Sequence, residues 1–422
     1  MKLRSWSKTY GPNILVKLGQ RPVIVCNTFD GICDFWIKNQ SSLISRPTLH
    51  TFHDVISSSE AFTIGTSPWD ESCKLRRKAA ALALNNSSVH QYVPAISREI
   101  NDALSEICVD TRNGEQAIQP KLYLKKFVLN VSLTCSFGTR ISTVRHALLK
   151  EIVDVEEALT RYRSHTNNLQ DYLPILRWIP SAKTDAKAYS QRRDIYMDRL
   201  IEQLKSDIAN GIDAPCSVGR VMKDPNFEFN DVELMSLSIT LLSAGLDTIP
   251  ANLSQGVAIL AGKEGQEFQE DIRNEILSHY SSFEEAWEAM VSEEACRPHG
   301  FPKTNITPVV FAGVTIPENT WFYMNSKSAN FDPLAFPEPD KFLPSRFADS
   351  NPPKVGPPMR HFGYGAGSRA CVGYHLANRL MYGILGRLIL GWKIQAPGFV
   401  DIDPDTYNAC PSSLVAEPKD FL

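Results

Sequence analysis

One cysteine near the end of the chain has the surroundings of a reactive thiolate. Cys371 lies in the run His361-Phe-Gly-Tyr-Gly-Ala-Gly-Ser-Arg-Ala-Cys-Val-Gly373. Glycines at 365, 367 and 373 permit left-handed or closely approached backbone beside the sulfur. A long apolar-periodic helix is predicted to begin at about His375. Its first amide N–H groups are expected to point at the sulfur and hold its pKa down. A buried, inert cysteine is the commonest fate of a free thiol, but it needs none of these flanks. Arg369, two residues away, is placed to pair with an anionic group and to steady the local charge. A fixed and shielded thiolate of this kind suits axial ligation of a haem iron, where it pushes electron density onto the metal and favours O–O cleavage.

A second constellation lies in the segment 231–261, the strongest helix prediction in the chain. Asn230 is its expected cap, with Glu233 as the reciprocal partner. Midway come Ala244 and Gly245, which leave room beside the backbone, then Asp247 and Thr248. Pro250 lacks an N–H, so the carbonyl of Leu246 loses its partner and the ladder opens locally. This makes a groove for a diatomic ligand and a water, with Thr248 holding a proton and Asp247 replacing it. The plainer reading makes Ala-Gly a helix-crossing contact and Asp-Thr a satisfied polar pair. Trp69 and Lys74, at the start of another helix, are candidate donors to carboxylates of a cofactor. Arg76, Arg77 and Lys78 are a candidate landing patch for an acidic electron donor.

These residues need a scaffold. The chain has 422 residues, 43% hydrophobic, and a net charge of -3. It can bury a large core, and its charge gives no case for a nucleic-acid partner. Nine cysteines are scattered without CxxC spacing, which argues against structural zinc or a disulfide framework and points to a reducing setting. The polar, basic start carries no signal-peptide pattern, and no window is expected to approach the ~20 apolar residues of a membrane span. A hairpin is predicted over 13–27. Helices are predicted near 69–85, 92–108, 147–165, 188–209, 231–261, 264–280 and 375–390. Short strands follow at 308–326, then a proline-rich wrap over 331–358. The expected architecture is mainly α with a minor β portion, in a single domain over 1–422.

With these motifs in place the chain resembles a cytochrome P450. The family's haem-ligand signature, Phe-x-x-Gly-x-Arg-x-Cys-x-Gly, maps onto Tyr364, Gly367, Arg369, Cys371 and Gly373, with Tyr364 replacing the usual phenylalanine. Its central-helix motif matches Ala244, Gly245, Asp247 and Thr248. A late Pro-x-x-Phe element appears as Pro344-Ser-Arg346-Phe347. Further texture, including Ile44-Ser-Arg-Pro47, Thr51-Phe-His53 and Asp247-Thr-Ile-Pro-Ala-Asn252, is similar to fungal P450s of the phenylacetate-hydroxylase type. The resemblance implies haem b ligated by Cys371, with Trp69, Lys74 and Arg369 at the propionates. It also implies O2, a small apolar or aromatic substrate, electrons from NADPH through a P450 reductase, and a monomer.

Relatives are anchored in the endoplasmic reticulum. Met1 lies only nine residues before Tyr10, so the expectation for this chain is a cytoplasmic or peripheral protein without an anchor, its last strand shortened. The family's Glu-x-x-Arg pair is matched by Glu294 and Arg297, with Arg346 as third member of a bracing network. The segment between 281 and 303 is short, and a second alignment places Ala286-Trp-Glu in the preceding loop, leaving that match accidental. Two other classes stay open at this point: a haem-thiolate isomerase or dehydratase without O2 activation, and a truncated haem binder without catalysis.

Overall fold

The structure, a computed structural model, describes residues 2–57, 62–162, 168–178, 181–292, 303–304, 306–341, 343, 361–401 and 419. Glu294, Arg297, Pro344, Arg346 and Phe347 lie outside the described residues.

The fold is mainly helical. After α1 (Lys2–Tyr10) the chain forms the predicted hairpin, β1 (Asn13–Leu18) antiparallel to β2 (Arg21–Cys26), with Asn13 opposite Cys26. β2 then pairs in parallel with β6 (Trp321–Met324), which pairs antiparallel with the two-residue β3 (Lys303–Thr304). β4 (Val309–Phe311) and β5 (Val314–Ile316) form a separate ribbon. Val23 and Val25 point from β2 into the core, the alternation expected of a half-buried strand.

The helices are α2 (Phe29–Ile32), continued by a wider π-helical turn over Cys33–Lys38, α3 (Glu71–Leu84), α4 (Asn86–Gln91), α5 (Val93–Asp110) and α6 (Lys121–Phe137). Then come α7 (Ala147–Tyr162), α8 (Ser181–Ala209), α9 (Ser217–Lys223), α10 (Asp231–Ala261), α11 (Lys263–Ser278), α12 (Phe283–Ser292), α13 (Ser326–Asn330) and α14 (Tyr374–Gly391). The helix α10 is central, packing on α3, α6, α7, α8, α11 and α14. Its start is the expected capping box: the Asn230 side chain accepts from the Glu233 N–H at 2.9 Å, and Glu233 Oε2 accepts from the Asn230 N–H at 3.3 Å. Pro250 lies inside it without ending it.

One expectation needs correcting. The helix α10 is long and apolar enough to cross a membrane. Leu237, Ile239, Leu242 and Leu253 are each fully buried within the protein, so the same composition serves a core helix here.

Two joints matter for Cys371. Aromatic packing of Phe29 on Phe362, with ring centroids 4.9 Å apart, ties α2 to the glycine-rich loop. On the other side, fully buried Arg387 of α14 donates to the Trp287 carbonyl at 2.9 Å and to Asn101 Oδ1 at 2.8 Å, and faces Glu288 at 3.4 Å. The guanidinium thereby joins α12, α5 and α14. Burial pushes its pKa down, and Glu288 offsets part of that cost.

Candidate functional site

The loop that carries Cys371 is shaped by close approach. Gly367 has φ +63°, and a Cβ placed on it would lie 1.9 Å from the Trp36 carbonyl oxygen. No side chain fits there. Gly365 also has a positive φ, +74°, and the Cys371 N–H donates back to the Tyr364 carbonyl at 2.9 Å. Tyr364 is buried, and its hydroxyl donates to Asn378 Oδ1 on α14. The polar atom that replaces a phenylalanine edge is therefore satisfied, and it pins the loop to the helix that follows.

Cys371 itself is accessible to solvent, yet burial among the surrounding protein pushes its thiol pKa up. Together these place the sulfur at the floor of a recess. The Gly373 N–H and the Arg77 guanidinium act in the opposite direction. The expected helix-start amide is thus present, but desolvation outweighs it, and the net shift is upward instead of downward. A cation facing the sulfur is what would tip such a thiol to thiolate.

The second constellation divides in two. Gly245 is the crossing contact: a Cβ there would meet Val128 and Ser132 of α6 at 3.6 and 3.5 Å. Ala244, by contrast, is exposed although it sits midway along the core helix. An exposed alanine at that position lines open space inside the fold. Thr248 Oγ1 donates to the Ala244 carbonyl at 3.1 Å, and Asn252 Nδ2 donates to the Thr248 carbonyl at 2.8 Å. Asp247 Oδ1 accepts from the Thr160 hydroxyl of α7 at 2.6 Å.

Around the recess stand four cations. Arg369 is buried; it donates to the carbonyls of Ile44, Ile64 and Ser67 at 2.9, 2.9 and 3.0 Å, while its Nε is buried without a partner. Its pKa falls from 12.5 to about 10, first through burial. Arg77 bonds the carbonyls of Ser368 and Ala370 at 3.3 and 3.1 Å, and burial lowers its pKa as well. Arg46 donates from Nε to the Gly65 carbonyl at 2.9 Å; burial, then Arg369 and Arg77, hold it well below the usual arginine range. Lys303, 2% exposed, donates to the Ala366 carbonyl at 3.0 Å. It is pushed well below 10.5 by burial and then by Arg46, Arg369 and Arg77, with no acid among the causes.

Buried cations at this density are costly, and an anion joining them offsets that cost. Arg46 entered the sequence reading only within the Ile44-Ser-Arg-Pro47 run, and Lys303 carried no assigned role.

The other predicted contacts resolve differently. Lys74 is exposed, pairs with Glu71 and lies 5.8 Å from the Trp69 ring, which also receives the Arg369 guanidinium at 5.5 Å. Trp69 thus belongs to the cation cluster through its ring face, and Lys74 reaches the edge of the same ring from solvent. The basic landing patch is corrected in part. Arg76 is buried and bonds the Phe62 carbonyl at 2.9 Å and Ser236 of α10, and Arg77 turns in to the thiol loop, which leaves Lys78 exposed.

A cavity of about 740 Å3 opens elsewhere, between the end of α7 and α8, lined by Arg161, Tyr162, Gln170, Tyr189 and Arg192 among others. None of the residues around Cys371 borders it. No cluster of His, Cys, Asp and Glu side chains suited to a bare metal ion occurs among the described residues. The donor set therefore suits a metal brought inside an anionic organic group: one thiol, an accessible small-residue face, and a ring of cations.

Comparison with known proteins agrees. The profile of the family described as cytochrome P450 matches residues 1–293 and 294–421. The chain belongs to the cytochrome P450 family. Family membership brings haem b held through a cysteine thiolate, and monooxygenase-type chemistry. Phenylacetate 2-hydroxylase of Emericella nidulans is 42% identical over 99% of this chain and 84% of its own length. The 3-hydroxyphenylacetate 6-hydroxylase of the same organism is 34% identical over 99% of this chain and 83% of its own length. A cytochrome P450 monooxygenase of Mycosarcoma maydis is likewise 34% identical, over 99% of this chain and 81% of its own length. The residues around Cys371 pass the fit for haem on their own evidence, because the buried cations and the unpartnered Arg369 Nε answer to propionates.

Proposed function

We propose that this P450 is a haem-thiolate monooxygenase that inserts one oxygen atom from O2 into a small aromatic or apolar molecule, with aromatic acids of the arylacetate kind as the first class to try. The observation that carries the reading is the accessible Cys371 beside three buried cations, Arg46, Arg369 and Lys303, and the half-buried Arg77. The substrate class is supported by the names of the two Emericella nidulans relatives, and fungal secondary metabolism is the broader setting for such an oxidation.

Haem, when bound, supplies the binding and reductive activation of O2, with electrons passed from NADPH by a P450 reductase. This chain's residues do the rest. Cys371 Sγ would hold the haem iron, fixed by the Gly365 and Gly367 turns and by the Tyr364–Asn378 bond. Arg46, Arg77, Arg369 and Lys303 would hold the carboxylates of the haem. Ala244 leaves the space that O2 and substrate share. Thr248 Oγ1, resting on the Ala244 carbonyl, holds a proton, and Asp247 replaces it from the side of α7.

The test is the ferrous-CO spectrum of the purified protein. Wild type is expected to show the red-shifted band of a thiolate-ligated haem, and Cys371→Ala to lose it. A wild-type protein that takes up haem without that band overturns the assignment. Retention of Asp247 and Thr248 favours O2 activation over isomerase or dehydratase chemistry. Oxygen consumption that depends on NADPH, reductase and an arylacetate distinguishes them.

A further inference from the structure

The hydrogen bond between Thr160 and Asp247 has no role in the haem-binding set, and it links α7 to α10. We infer that Thr160 of α7 is a positioning residue for Asp247, holding one carboxylate oxygen for proton delivery on α10. The inference rests on the reading of Asp247 as the group that renews the Thr248 proton.

Thr160 is 5% exposed and its hydroxyl donates to Asp247 Oδ1 at 2.6 Å. Around it the α7 interface is apolar, with Ile152, Val155 and Leu159 fully buried. A lone hydroxyl in such packing has little reason to be there unless it serves the carboxylate it touches. Asp247 also sits where Pro250 removes one N–H from the helix ladder, so the local backbone has more freedom than elsewhere in α10. A carboxylate that must alternately take and give a proton needs its oxygens fixed, and the Thr160 bond fixes one of them.

A second polar contact keeps α7 in register. One turn before Thr160 and on the same face, Glu156 is 2% exposed and accepts from the Tyr196 hydroxyl of α8 at 2.7 Å. A polar seam therefore runs from α10 through α7 to α8. The Thr160–Asp247 bond thus holds one carboxylate oxygen in place for proton transfer to Thr248, and its loss would let reduced oxygen leave as peroxide.

The experiment uses the haem-loaded protein with its reductase and four variants: Thr160→Val, which keeps shape and removes the hydroxyl, Thr160→Ser, Asp247→Asn, and Thr160→Val combined with Asp247→Asn. Thr160→Val is expected to lower product formed per O2 consumed by roughly 3–10-fold with KM little changed, and to alter the solvent deuterium isotope effect. Thr160→Ser restores both. The double variant is no worse than Asp247→Asn. Urea unfolding of the same four proteins is expected to be non-additive, a readout independent of turnover. If Asp247→Asn uncouples while Thr160→Val behaves as wild type, or if unfolding is additive, the role of Thr160 is overturned and that of Asp247 stands. If Asp247→Asn is itself fully coupled, the reading of Asp247 fails, and this inference fails with it.

Discussion

Lys303 gives the sharpest test of whether the cation cluster exists to receive an anion. Its ammonium is 2% exposed, makes one bond, to the Ala366 carbonyl at 3.0 Å, and is repelled by Arg46, Arg369 and Arg77. Lys303→Met keeps the length of the stem and removes the charge. Burying an isolated ion costs several kcal/mol, and leaving the Ala366 carbonyl unpaired returns about 1–3 kcal/mol of that. The haem-free variant should therefore be more stable than haem-free wild type by roughly 1–3 kcal/mol. With haem the sign reverses. A charge facing a propionate at ~4 Å in a medium of effective dielectric ~20 interacts by about 4 kcal/mol, of which desolvation cancels part, so haem affinity should fall on the order of 10–100-fold.

The pH dependence follows from the direction of the Lys303 shift. Folding lowers this pKa from 10.5, so between the folded and unfolded values the unfolded chain binds the extra proton. Stability of the haem-free wild type then rises with pH across that window, up to about pH 10, and the penalty is fully present below it. Lys303→Met should lack this rise. The assays are urea unfolding with and without haem, from neutral to alkaline pH, and the rate at which haem is released to a competing acceptor. A haem-free variant less stable than wild type, or one that holds haem equally well, would show that the cluster was not built around the propionates.

Three further outcomes are expected. Gly367→Ala places a Cβ 1.9 Å from the Trp36 carbonyl at a φ of +63°; the loop must move, with a loss of more than about 3 kcal/mol in unfolding free energy and of the thiolate CO band. Tyr364→Phe removes the hydroxyl that donates to Asn378, and urea unfolding should show a cost of about 1 kcal/mol while the CO band is retained. Thr248→Ala removes the hydroxyl held on the Ala244 carbonyl; NADPH oxidation should continue while peroxide replaces product, by roughly 10-fold or more in coupling, and unchanged coupling would remove Thr248 from the relay.

The parts of this fold that were legible in the sequence are those in which local signals agree. The helix α10 announced itself through the Asn230–Glu233 box and an apolar run too long for a strand, and α14 through its stripe at 376, 380, 384, 385 and 388. The helix α6 was missed. Its residues Leu124 to Leu133 are buried on every side, two lysines included, so no amphipathic period survives to mark it. Lys125 and Lys126 are tolerated because each meets a carboxylate, Glu157 and Glu106. The short helix α12 was likewise hidden by an acidic composition that reads as solvated surface.

Within the site, the same division holds for a physical reason. Cys371 and its glycines are close in sequence because a tight turn must be built from consecutive residues, so a motif could reveal them. Arg369, two residues from the sulfur, was legible in the same motif, but the other cations could not be read that way. Arg46, Arg77 and Lys303 come from a loop, α3 and β3, and long-range bonds gather them at the thiol loop: Arg77 to the Ser368 and Ala370 carbonyls, Lys303 to the Ala366 carbonyl, and Arg369 to the Ile44 carbonyl near Arg46. Each of these three is an unremarkable basic residue to its neighbours in the chain. What identifies them is the like charge they gather once folded, and Lys303 most of all, since the charges acting on it among the described residues are Arg46, Arg369 and Arg77. An enzyme that holds its cofactor by such a cluster ties cofactor retention to the fold of the whole proximal side. Changes far from Cys371, at Trp36 or Phe29 for example, should then loosen haem before they alter the thiolate itself.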